Sequence, residues 1–116
     1  MAEEKDLLGN LILELRRGTL VLSVLSQVQT PKYGYALTQS LENQGIIIEA
    51  NTLYPLLRRL EKQGLLISEW DTGESKPRKY YRRTQEGERV YKALRTQWQD
   101  MSVRMAQLLE EGENYE

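Results

Sequence analysis

Cysteine and histidine are both absent from the 116 residues. Without Cys there is no disulfide and no thiolate nucleophile, and without His a metal site is left with carboxylates alone; neither metal nor cofactor is expected. Catalytic dyads built on either residue are excluded. No Gly-rich phosphate loop is present and the acids form no convincing catalytic pair, so an enzyme is the reading with least support. No apolar run approaches the roughly eighteen residues of a membrane-spanning helix, and the acidic opening MAEEKD lacks the positive flank of a secretory signal. A cytoplasmic protein with no membrane partner is the expectation.

What remains is an ordinary globular composition, 40% hydrophobic and 28% charged, in a length that suits one core. The formal net charge of -1 by itself argues against a nucleic-acid binder. Its distribution argues the other way. KPRKYYRR at 76–83 contains no acid, whereas the chain ends in EEGENYE, so one basic face and one acidic end hide inside a neutral total.

Leu7 to Val28 is helical in pattern: Leu7, Leu8, Leu11, Ile12 and Leu15 form one apolar stripe, and Val21, Leu22, Val24, Leu25 and Val28 a denser one. RRGT interrupts the pattern, so either one bent helix or two helices meet near Gly18, with Thr19 available to cap the second. QTPKYG reads as a loop. A short helix follows from Tyr35 to Asn43, with Leu37 and Leu41 inward and Gly45 at its end; IIIE is then a connector or single strand.

From Ala50 to Gln63 the spacing predicts a helix closed by Gly64, with Leu53, Leu56, Leu57 and Leu60 on its core side. Asn51, Tyr54 and Arg58 share another face. Pro55 falls beyond the first turn of a helix begun at Ala50, which predicts a local distortion unless the helix starts later. Leu65–Trp70 and Arg78–Arg83 read as two strands joined by DTGES, where Gly73 supplies the permissive backbone. Tyr80 and Tyr81 must face opposite sides of the returning strand, one of them into the core. Thr84 caps a long final helix in which Tyr91, Leu94, Trp98, Met101, Met105 and Leu108 form a coiled-coil seam, braced by the first helix; fraying is expected after Leu109.

The expected fold is α+β and mainly helical: a winged helix-turn-helix over residues 1–84, a dimerisation helix over 85–112, and a frayed tail at 113–116. Helix followed by basic hairpin is the order in which such a motif meets duplex DNA. Asn pairs bidentately with adenine and Arg with guanine, while Thr and Tyr reach phosphate or a thymine methyl. Asn51, Thr52, Tyr54, Arg58 and Arg59 are therefore candidate contacts on the helix, and Lys76, Arg78, Lys79, Tyr80 and Arg82 on the wing. Strand alternation keeps all the wing basics from reaching DNA together. A winged helix that binds protein instead is the alternative; an acidic helix face would favour it, and the Asn51–Arg58 face is not acidic.

Four stretches, LRRGTLVLSVLS at 15–26, YGYALTQSL at 33–41, NTLYPLLRRLEKQGLL at 51–66 and PRKYYRRTQEG at 77–87, together resemble the PadR family of bacterial transcriptional regulators, in particular its short members. The resemblance implies a homodimeric repressor whose third helix enters the major groove of double-stranded DNA. It carries Thr52 and Tyr54 onto the start of the recognition helix, Tyr33 and Tyr35 onto the residues before the second helix, and Arg78, Lys79 and Tyr80 onto the wing. Lys32, beside them, is a phosphate candidate. Asn51 departs from the Gly or Ala that many members carry. The drug-responsive branch of the family also implies a Trp at the dimer centre, matched by Trp98, where a planar aromatic small molecule would sit. Val21, Leu22 and Met101 are the candidate walls, and Leu11, Leu15, Tyr91, Leu94, Trp98, Met101, Met105 and Leu108 the candidate dimer interface.

Overall fold

The computed structural model describes residues 2–73 and 75–114. In chain order these form α1 (Ala2–Arg17), α2 (Leu20–Gln27), β1 (Lys32–Tyr33), α3 (Gly34–Asn43), α4 (Ala50–Lys62), β2 (Leu66–Asp71), β3 (Arg78–Arg83) and α5 (Gln85–Asn114). The strands make one antiparallel sheet in the order β1-β3-β2. This is a winged helix-turn-helix carrying a long C-terminal helix.

The core lies where α2, α3, α4 and the base of the hairpin meet. Val24, Leu25, Leu37, Leu53 and Leu57 are fully buried there, with Leu41, Leu60, Leu66 and Tyr81 nearly so. Truncating such a leucine to Ala costs about 2–5 kcal/mol. The four inward leucines of α4 hold this helix by one side only, which leaves its opposite face open. Gly45 and Gly64 follow α3 and α4 with φ of 82° and 79°, the left-handed conformation that ends a helix.

The structure settles the alternatives left open by the sequence and corrects several expectations. The chain breaks at Gly18 into two helices, but Thr19 makes no side-chain cap: its hydroxyl donates backward to the Arg16 carbonyl at 2.8 Å. QTPKYG is not wholly loop, because Lys32 and Tyr33 pair with Tyr81 and Tyr80 as a third strand. IIIE is a connector without regular structure. The later start for α4 is excluded by bonds from the Thr52 and Leu53 N–H groups to the Glu49 carbonyl. Pro55 lies inside an unbroken helix, on its exposed face, where water can take the carbonyl its missing N–H leaves unpaired.

Gly73 does not use a left-handed backbone; its N–H instead donates to Asp71 Oδ1 at 3.1 Å, so the acid shapes the turn. Glu74 of that turn, and Tyr115 and Glu116 of the expected tail, lie outside the described residues. The helical backbone continues past Leu109 to Asn114.

Two anchors place α5. Thr84 is its cap as expected, its hydroxyl oxygen accepting from the Gly87 N–H at 2.9 Å and donating to the Gly64 carbonyl at 2.6 Å. Gly87 packs directly on the Leu65 carbonyl, leaving no room for a Cβ. Beyond that, Tyr91 and Leu94 lean on the chain's own core, whereas Trp98, Met101, Met105 and Leu108 are exposed. Among the described residues, the bracing of α5 by α1 is not seen within one chain. α1 makes at most sparse contact with other elements, and Leu11 and Leu15 are open to solvent.

Candidate nucleic-acid interface

The outer face of α4 carries Asn51, Thr52, Tyr54, Arg58 and Arg59, all exposed. They are brought together as the helical repeat predicts, because the leucines between them are turned inward. Among the described residues neither Arg58 nor Arg59 takes part in an ion pair. Tyr54 leans over the start of α3, where its ring fills the space beside Gly34.

The wing differs from its sequence impression. Its basic strand contains no acid, but the antiparallel register sets Glu69 opposite Tyr80 and Asp71 opposite Arg78. Arg82 then lies 3.7 Å from Glu69, and the Tyr80 hydroxyl donates to the same carboxylate at 2.9 Å, which raises the Tyr80 pKa above its ordinary value. Alternation turns Lys79 to the core side with Tyr81, where it meets Glu61 of α4 at 3.7 Å. Arg78, Tyr80 and Arg82 share the other side. Lys76 is exposed in the turn.

Tyr33 is tied into the sheet. Its hydroxyl donates to Asp71 Oδ2 at 2.6 Å, its ring meets Tyr80 edge-on at 5.9 Å, and the Arg78 guanidinium stands 5.6 Å from the ring centre. The Tyr33 hydrogen bond, followed by that from the Gly73 N–H, holds the Asp71 carboxyl below its usual pKa. Lys32 is half-buried beside Tyr81, while Tyr35 projects to solvent. Burial is the main cause that pushes the Tyr81 phenol above its ordinary range.

Where α3, α4 and the wing meet, a cleft of about 690 Å³ is lined by Tyr33, Tyr35, Tyr54, Tyr81, Trp70, Arg78 and Lys79. Trp70 and the organising acids Glu61, Glu69 and Asp71 were missed by the sequence reading. An exposed Trp in the polar stretch SEWD was the available signal for the first. The acids gave none, since their partners lie elsewhere in the chain.

A second cleft, of about 410 Å³, lies between α2 and α5. It brings together Leu22 and Trp98 with Tyr91, Ile46 and Arg95. Val21 packs toward the core instead, and Met101 lies further along α5, so neither lines this cleft within one chain.

A helix-turn-helix with a basic-edged wing and an extended C-terminal helix defines a DNA-binding transcriptional regulator of the winged-helix class. The sequence pattern of the transcriptional regulator PadR-like family matches residues 21–93, and the chain belongs to that family. Its members are non-enzymatic regulators that bind DNA. The chain is 37% identical over 75 residues to the transcriptional regulator Rv3488 of Mycobacterium tuberculosis, covering 64% of this chain and 70% of the relative. A PadR family regulator from Eggerthella lenta has a similar crystal structure, with 58% identity, a TM-score of 0.87, and coverage of 95% of this chain and 98% of that one. A transcriptional regulator from Clostridium thermocellum aligns at 30% identity and a TM-score of 0.75, over 81% and 96% of the two chains. No described helix is long and apolar enough to cross a membrane.

Proposed function

We propose that the chain acts as a homodimeric, sequence-specific repressor that places α4 in the major groove and the wing on the adjacent backbone. The observation that carries this reading is the contrast between two paired wing cations and the unpaired arginines of α4. Lys79 and Arg82 of the wing each lie 3.7 Å from an acid of the same fold, Glu61 and Glu69, whereas Arg58 and Arg59 stand on an exposed helix face with no ion pair among the described residues. Cations left unpaired beside Asn51, Thr52 and Tyr54 suit phosphates and base edges. Lys32, Tyr35, Lys76 and Arg78 flank that face from the helix entry and wing.

Pairing of two chains is supported by the apolar residues that one chain leaves open. Trp98, Met101, Met105 and Leu108 on α5, with Leu11 and Leu15 on α1, are large apolar side chains that one chain leaves open to solvent. In a two-fold dimer the α4 helices would address half-sites about 34 Å apart. Titration of the promoter upstream of its own gene, at several salt concentrations and with sedimentation to fix the oligomer, tests the reading. Affinity equal to that for random duplex refutes it.

A planar aromatic effector is the second layer, supported by the placement of Leu22 and Trp98 in one cleft. Stacking on an indole adds about 0.5–1.5 kcal/mol beyond burial, enough to tune a binder that also uses apolar walls. Regulation requires unequal affinity for the DNA-competent and incompetent dimers. Dye titrations followed by Trp emission test this in a Trp70→Phe background, because Trp70 also emits. Because Trp98→Ala leaves no Trp in that background, its dye binding is read from the dye's own fluorescence anisotropy, and affinity undiminished from that of the Trp70→Phe parent removes Trp98 from the site.

A further inference from the structure

Arg83 ends β3 on the core side of the strand, and its side chain is only 5% exposed. Burying a guanidinium is costly unless its donors are met. Here Nη1 donates to the Leu25 carbonyl of α2 at 2.8 Å, and Nη2 meets Glu88 Oε2 of α5 at 2.6 Å. The guanidinium also stacks over the Tyr91 ring of α5, 4.3 Å from its centre. The backbone N–H of the same residue donates to the Val28 carbonyl at 3.0 Å.

Two elements, α2 and α5, thus converge on one side chain of a third. Its Nε–H is nevertheless buried without a partner, so an apolar residue would fill this position without that desolvation cost. The arrangement calls for a role other than stability. Thr84 and Gly87 fix the first turn of α5 at one place, which sets where the helix begins and leaves its direction to be set further along. Arg83 reaches Glu88 and Tyr91 in the next turns and ties them to the wing strand. α5 has 30 residues. At a length of roughly 45 Å, a swing of about 5° at its base displaces the far end by about 4 Å.

We infer that Arg83 is a positioning residue that sets the angle between the winged unit and α5, and through it the spacing of the two α4 helices on DNA. The DNA consequence rests on the dimeric reading above; the angle does not. Because the chain contains no cysteine, two can be introduced for spin labels, Gln39→Cys on α3 and Gln107→Cys on α5. Pulsed dipolar distances, read in labelled chain diluted with unlabelled chain, report the angle directly.

The expected result is a narrow distribution in the parent, broadened or shifted by several ångströms in Arg83→Leu and Arg83→Gln, with Arg83→Lys intermediate. Glu88→Gln and Tyr91→Leu remove the partners while keeping the arginine, and are expected to broaden it as well. They also answer the case in which an Arg83 variant fails to fold. On DNA, the parent is expected to discriminate about tenfold against palindromes respaced by one base pair, and Arg83→Leu less than about threefold. Lower thermal stability with unchanged distances would assign Arg83 a structural role only and overturn the proposal. A parent with no spacing preference refutes the dimeric operator reading, while the distances still decide the pivot.

Discussion

Gly34 and Tyr54 interlock the two helices of the DNA-binding motif: a Cβ on Gly34 would lie 2.7 Å from the Tyr54 hydroxyl oxygen. The obstructing atoms are the far end of a side chain that can rotate, and Gly34 has no left-handed backbone to defend. Gly34→Ala is therefore expected to cost less than about 1 kcal/mol of stability. It should swing Tyr54 off its present position and lower operator affinity several-fold, as seen by comparing thermal melts with DNA titrations of the same variant.

The two neighbouring wing cations should separate in a salt titration. Arg78 is exposed on the outer side, and Arg78→Ala is expected to reduce the log–log salt slope of DNA binding by about one unit. Lys79 is held by Glu61, so Lys79→Met should leave the slope nearly unchanged. The partly exposed pair contributes at most about 1 kcal/mol to stability. Equal slope changes in the two variants would contradict this division of the wing.

On α4, Asn51→Ala is expected to cost about 1–3 kcal/mol of operator affinity and to relax the preference at one base pair. Arg59→Ala should instead weaken all sequences alike and lower the salt slope by about one unit. Binding measured against a set of single-base operator variants distinguishes them.

The wing contact between Tyr33 and Asp71 is expected to be acid-sensitive. Asp71 has its pKa lowered from 3.8 by the Tyr33 hydroxyl, so its stabilisation is present above that value and is lost as pH falls through the depressed folded pKa. Tyr33→Phe should be less stable than the parent by a constant amount at neutral and mildly acidic pH. Chemical denaturation across a pH series should show the two converging below about pH 3.8. A gap that persists in strong acid would mean another Tyr33 contact dominates.

Gly87 offers a purely structural prediction. A Cβ there would strike the Leu65 backbone, which cannot rotate aside, so the start of α5 must shift. Gly87→Ala is expected to lose about 1–3 kcal/mol in denaturant unfolding.

Much of the fold was legible because it is written in local periodicity. The leucines of α4, the glycines closing α3 and α4, the Thr84 cap and the opposed faces of Tyr80 and Tyr81 each follow from spacing within a few residues. β1 was not legible: two residues carry no period, and Lys32 and Tyr33 are a strand only because β3 lies beside them. The wing's charge was misjudged for the same reason. A run without acids looked free, yet the partner strand delivers Glu69 and Asp71, and α4 delivers Glu61. Of the effector candidates, Trp98 came from the family resemblance, and no local pattern in the sequence could show that Leu22 meets it across α2 and α5 or that Val21 turns inward.

The apolar residues left open on α1 and on the outer half of α5 also bear on how the chain answers to its own abundance. In the homodimer proposed above, a lone chain holds one weak half of a reader and exposes the surface that would join it to another. Operator occupancy then depends on the square of free chain concentration when dimers are scarce. A modest rise in synthesis becomes a steeper rise in silencing, so the arm would act as a threshold device on gene expression as well as a joint.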